Sequence, residues 1–255
     1  MSRRRLTIAT ALCSGALLSG LLAGGAGGAL VAVNSLVLRA DGTFEPHDLP
    51  RKRFVPIDFQ GHFDISAKDG GQPVALQQAV IDFDRDGRLD VSGLPSCRPE
   101  QISAASTAEA RKVCGKAIVG TGHVEAIIAS ETGPVPASSP LTIFNGPEVE
   151  GHPTAILHAR TTFPALQTYA IVVPIERRPG PFRYRVTLNV PALAGGLGSI
   201  SHVDVDIGRH YRAGGKQRSY VSARCSDGII VTHGRFTFAD GTIIDGSVEK
   251  ACSVK

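Results

Sequence analysis

The sequence predicts an all-β protein: an antiparallel β-sandwich, jelly-roll or Ig-like, carrying one short helical, disulfide-closed insert. Three observations predict it. Apolar and polar residues alternate with a period of two over many short runs, Asx-Gly dipeptides separate those runs, and four cysteines beyond the amino-terminal segment form an even set. With 42% hydrophobic and 20% charged residues among 255, the chain has ample material for a large core, and 29 Gly with 16 Pro stay short of a low-complexity composition.

The first element is a leader. Arg3, Arg4 and Arg5 form a positive n-region, and no Asp, Glu, Lys, Arg or His occurs from Leu6 to Leu38. This pattern marks residues 1–29 as a signal peptide, or as a membrane anchor if it is retained. Gly24, Gly25, Gly27 and Gly28 interrupt the run and supply small residues for cleavage near Ala29. Cys13 sits within the apolar stretch and leaves with it. A single domain, residues 30–255, follows, with the helical insert at 98–114. Loss of the leader leaves 24 basic residues against 23 acidic ones, a net charge of about +1. That excludes the positive field a nucleic-acid partner needs, and no basic stripe interleaves with aromatics. Arg51-Lys52-Arg53 and Arg209 to Arg218 read as solvated loops.

Export places the cysteines in an oxidising compartment, and order along the chain pairs Cys97 with Cys114 and Cys225 with Cys252. A straight helix between the first two would hold them about 20 Å apart, so the segment must double back. Pro99-Glu100-Gln101 starts one helical turn, and Ser106 with Glu109 forms a capping box for a second that ends at Cys114 and Gly115.

The strands alternate in the manner of a half-wet sheet. Ile57, Phe59, Gly61, Phe63 and Ile65 oppose Asp58, Gln60, His62 and Asp64. Phe182 to Val190 and Val203 to Ile207 repeat the pattern. Further strand-like runs are Leu30 to Leu38, Pro73 to Phe83, Ala117 to Ala129, Pro140 to Phe144, Thr154 to Arg160, Thr168 to Glu176, Ser219 to Arg224, Ile229 to Phe238 and Thr242 to Val248. Asp69-Gly70, Asp86-Gly87, Asn145-Gly146, Asp227-Gly228 and Asp240-Gly241 read as turns, as does Ala-Asp-Gly-Thr at both Ala40 and Ala239. Gly133 to Pro140 reads as a long loop.

Three constellations carry potential chemistry. Asp82, Asp84, Asp86, Gly87 and Asp90 match a calcium loop, although Gly93 stands where a bidentate Glu belongs; the alternative is a hairpin turning at Arg85-Asp86-Gly87-Arg88. No cofactor is marked outright: calcium is the candidate, and a zinc site of the four thiols is disfavoured because their spacings contain no C-x-x-C. His202, Asp204 and Asp206 share a strand face, as do Asp58, His62 and Asp64, and either group suits a metal or acid–base cluster if the two faces converge. His123 with Glu125 and His152 with His158 are weaker pairs. There is no nucleophile elbow, and Gly195-Gly196-Leu197-Gly198-Ser199 lacks the Lys and helix of a phosphate loop. Tyr169, Tyr184, Tyr211 and Tyr220 are the aromatic contacts on offer to a ligand.

Ala117 to His123, Ser139 to Pro147, Ser219 to Gly228 and Gly234 to Thr242 resemble segments of a group of uncharacterised exported bacterial proteins, over roughly Val33 to Cys252. The resemblance implies an exported β-rich fold with paired cysteines and carries no activity with it. The expected function is therefore an exported binding or structural module of the cell envelope or extracellular space. It would touch a membrane only through an uncleaved leader. The alternative is an extracellular hydrolase or lyase with a His/Asp site assembled from several strands, calcium-dependent or not. A concave site holding three or more of His62, His123, His158, His202, Asp204 and Asp206 would favour the enzyme.

Overall fold

The computed structural model describes residues 28–163 and 165–254. Residues 1–27, which hold all of the expected leader but Gly28 and Ala29, lie outside them together with Cys13, and the sheet begins at Ala29. Twelve strands form one sheet: β1 (Ala29–Val33), β2 (Leu36–Glu45), β3 (Asp58–Ala67), β4 (Leu76–Asp84), β5 (Ile118–Ile128) and β6 (Val135–Asn145) come first. Then follow β7 (Thr154–Thr161), β8 (Gln167–Arg177), β9 (Phe182–Asn189), β10 (Gly198–Ile207), β11 (Ile229–Phe238) and β12 (Ile243–Ala251). The spatial order is β1-β2-β3-β10-β5-β6-β7-β8-β9-β4-β11-β12, antiparallel throughout. The meander β5 to β9 is thus clasped between β10 and β4, each reached by a connection across one end of the sheet.

The expected sandwich is corrected here. One continuous sheet curls until β12 reaches β1, making a nearly closed barrel in place of two stacked layers. Strong coiling is built in by glycine. Gly42, Gly61, Val205 and Gly122 stand opposite one another across β2, β3, β10 and β5. A Cβ on Gly122 would overlap the backbone oxygen of Asp204, and one on Gly120 would come within 2.5 Å of that of Asp206, so only glycine lets β5 fold so closely over β10. Across the seam, Gly246 of β12 faces Val31 of β1, and Lys250 Nζ lies 2.6 Å from the Asp41 carboxylate of β2. No strand pairing joins β1 to β12 among the described residues.

Inward positions are apolar, and outward apolar residues such as Phe144 and Ile156 lie under the helical insert. Leu36, Leu38, Ile65, Phe236, Phe238 and Ile244 fill the half of the interior bounded by β1 to β4, β11 and β12. One end of the barrel is capped. Small sheets cover it: Val55–Pro56, Val221–Ala223 and Gly87–Leu89 form one, and the hairpin His210–Ala213 with Lys216–Ser219 another. Tyr211 and Tyr220 plug it from within, and the Tyr211 hydroxyl donates to the Asp90 carbonyl at 2.9 Å. Cys225–Cys252 staples this cap. The helical insert packs outside the wall, where α1 (Thr107–Cys114) and Cys97–Cys114 cover Phe144 and Ile156. Both pairings and the capping box, with Ser106 N–H donating to Glu109 Oε2 at 2.7 Å, agree with the sequence reading.

Three local expectations change. Leu30 to Leu38 is two strands turning at Asn34, whose φ of 52° suits Asn. Asp41-Gly42 consequently lies mid-strand and makes no turn. Gly133 to Pro140 is mostly β6, and its prolines survive there because β7 pairs only from Leu141 onward. Ser139 stands in for the missing rung, its hydroxyl donating to the Arg160 carbonyl (2.8 Å) while accepting from the Arg160 N–H (3.0 Å).

Two glycine substitutions test this account. Gly122→Ala is expected to destabilise by about 2 kcal/mol or more. Gly115→Ala, at a right-handed helical φ of −56° with open space around it, should stabilise by about 0.5–1 kcal/mol. Urea midpoints of the two variants check both signs.

Candidate functional site

The acidic loop comes apart into separate partnerships. Asp82 is buried on the outer face of β4 and receives a bidentate fork from Arg185 at 2.8 and 2.7 Å. Asp84 accepts the N–H groups of Asp86 and Val231, and its burial, with the neighbouring charges of Asp86 and Asp227, raises its pKa. Asp86 is fully buried and accepts from Arg224 Nε (2.7 Å) and the Ser226 N–H (2.6 Å). Burial pushes its pKa upward, but those hydrogen bonds and the Arg224 charge outweigh that and hold it low. Asp90 faces Arg218 at 2.7 Å. Gly87–Leu89 pairs with Val221–Ala223, so the segment leaves the barrel and does not return as the expected hairpin on β4. Among the described residues, no group of three His, Cys, Asp or Glu is placed to hold a metal ion.

The two histidine-bearing faces do converge, because β3 and β10 are neighbours: His202 stands opposite Asp64, and Asp204 opposite His62. His202 Nδ1 lies 2.7 Å from Asp64 Oδ1, and Nε2 3.4 Å from Asp204 Oδ2. Partial burial lowers its pKa, but the Asp64 hydrogen bond and the two carboxylate charges prevail and raise it. Asp58 lies apart, 3.5 Å from His210, and Gln60 Nε2 donates to Asp206 at 3.1 Å. Where the glycine row bends the sheet, an outer cleft of ≈ 730 Å³ including its mouth gathers His62, Asp204 and Asp206 with Asp41 and Lys250. His123, next to Asp204 in register, and His202 lie on the same face. His158 is elsewhere, buried between β7 and the insert. Its Nε2 must carry the proton it donates to the Ala105 carbonyl (3.2 Å), and burial lowers its pKa.

The uncapped end is different in kind. Between β5 to β9 and β10 the interior stays open, an empty space of ≈ 970 Å³ including its mouth, of which ≈ 140 Å³ admits the centre of a water molecule. Its walls come from inward positions such as Ala126, Ala137, Leu157, Ala159, Ile171 and Ile200, and no charged residue among those described lines it. The Tyr169 hydroxyl donates to Gln167 Oε1 (2.7 Å), the Thr161 hydroxyl to the Phe163 carbonyl (2.7 Å) and the Ser139 hydroxyl to the Arg160 carbonyl. Burial raises the Tyr169 pKa, so it stays neutral. Phe163 of the lining is 45% exposed, and Leu166 (64%) and Leu197 (55%) lie within three residues of lining residues along the chain. Of the aromatics singled out from sequence, only Tyr169 reaches this cavity. The small inward residues of β5 to β7 were legible as strand positions, but nothing local marks them as the wall of a void.

No family model, curated protein or solved structure matches this chain.

The two perturbed histidines act on stability with opposite signs. His158 has a folded pKa below its unfolded value of about 6.5, so the unfolded chain takes up the proton first and stability falls as pH drops below about 6.5. The contribution of His202 is complete below about 6.5 and is lost as pH rises through its raised folded value. Urea midpoints measured from pH 5 to 8 should show His158→Gln flattening the acid limb and His202→Gln the alkaline one.

Proposed function

We propose that the protein is an exported binding module whose ligand is an uncharged, apolar small molecule seated in the open end of the barrel. The observation that carries this is a cavity walled by aliphatic side chains, in which Tyr169 and Gln167 are hydrogen-bonded to each other and exposed Phe163 forms part of the lining. Isolated exposed apolar residues are ordinary, but an exposed Phe in the wall of an apolar cavity favours a ligand entrance there. A ligand bearing a carboxylate or ammonium would find no counter-charge in this lining, which selects for a neutral one. Two disulfides suit an oxidising compartment, and no helix among the described residues is long and apolar enough to cross a membrane.

The outer cleft favours a second, enzymatic reading. It meets the criterion set by its histidines and carboxylates, since His62, Asp204 and Asp206 share it with Lys250. Acid–base hydrolysis would use them. No Ser or Cys is among its described residues, which leaves it without a serine or cysteine nucleophile.

The neutral probe N-phenyl-1-naphthylamine distinguishes the two. Saturable fluorescence enhancement is expected, weakened at least tenfold by Ala159→Phe, which fills the cavity, and unchanged by Asp204→Asn. The binding reading fails if the probe shows no saturable signal. The enzymatic reading requires hydrolysis of nitrophenyl esters that Asp204→Asn abolishes and Ala159→Phe leaves intact.

A further inference from the structure

The capped end collects positive charge that neither site above uses. Phe54, half-buried in the connection from β2 to β3, has three guanidinium groups around its ring: Arg224 at 5.0 Å, Arg183 at 5.3 Å and Arg88 at 5.9 Å from the centroid. They come from three distant segments. Arg224 is held by Asp86, and the adjoining Arg85 by Asp227 at 3.0 Å. Arg183 Nε donates to the Arg85 carbonyl at 2.8 Å, which aims the rest of its guanidinium elsewhere. Neither Arg183 nor Arg88 forms an ion pair among the described residues. Arg51, Lys52 and Arg53, all exposed, lead directly into Phe54.

Like charges gathered this closely repel, and a cation–π contact at an exposed site offsets little of that repulsion. Asp84, the remaining acid here, already accepts two backbone N–H groups. What is left is the Arg88 guanidinium and the terminal N–H groups of Arg183, with no acceptor among the described residues, gathered around Phe54 beside an Arg224 already paired with Asp86. Guanidinium forks match the oxygens of a tetrahedral oxyanion. We propose that the Arg88, Arg183 and Arg224 cluster around Phe54 binds a phosphate-ester group. The group belongs either to a free phosphorylated molecule or to an anionic phospholipid headgroup, and its recognition is independent of the apolar cavity at the opposite end.

The test uses Arg88→Ala/Arg183→Ala, which spares Arg224 and its buried Asp86 partner, with the melting midpoint confirming that the variant folds. One arm titrates the full-length protein with inorganic phosphate by calorimetry in about 50 mM salt, where screening is modest. The other floats it with phosphatidylglycerol vesicles, against phosphatidylcholine vesicles as control. Saturable phosphate binding, weakened at least tenfold in the variant, assigns the site to a free ligand. Flotation with phosphatidylglycerol alone, lost in the variant, assigns it to a headgroup. No binding in either arm, or binding the variant retains, overturns the proposal.

Discussion

The constraint from which the rest follows is the width of the sheet. A barrel of about eight strands is just filled by its own side chains or holds one small ligand, whereas twelve enclose more room than side chains can occupy. This protein divides that room. Leu36, Leu38, Phe236 and Phe238 bring one half of the wall into a packed core, and the half built from β5 to β10 keeps its separation because Ala126, Ala137 and Ala159 are too short to meet across it. The void is thus a result of residue size at inward positions, with the packed half acting as the rigid support.

Reinforcement is placed accordingly. Cys225–Cys252 lies within the cap, and Cys97–Cys114 ties the insert to the outer wall, so neither crosses the mouth. The cavity is lined instead by residues of short connections, among them Phe163, Ala165, Pro191 and Leu193, none of them charged. Stiffness at the closed end and freedom of access at the open one are compatible because they reside in different segments of chain.

Much of the architecture was legible in the residues. The strand-like runs overlap all twelve barrel strands at least in part, with Leu30 to Leu38 taking in pieces of β1 and β2 as one, and the Ser106–Glu109 box and the cysteine order specified the insert. What escaped depended on distance or on a neighbour. Alternation reports which face of a strand is dry, and is silent on whether the sheet beyond it stacks or rolls. The turn at Asn34 was hidden because Leu30 to Leu38 is apolar on both sides of it, while Asp41-Gly42 carried turn chemistry but serves as a bend within β2. Pro136 and Pro140 disguised half of β6. The convergence of His62 with Asp204 required the β3–β10 pairing, which joins segments some 140 residues apart, and Arg88, Arg183 and Arg224 meet only through the cap.

The seam between β1 and β12 has a consequence for the molecule's life in solution. An open sheet ends in rows of unsatisfied backbone groups that invite a foreign strand. Rolled this far, each border is screened by the other, with Val31 set against Gly246 and Lys250 latched onto Asp41. The polypeptide shields itself from fibrous self-association by being its own neighbour.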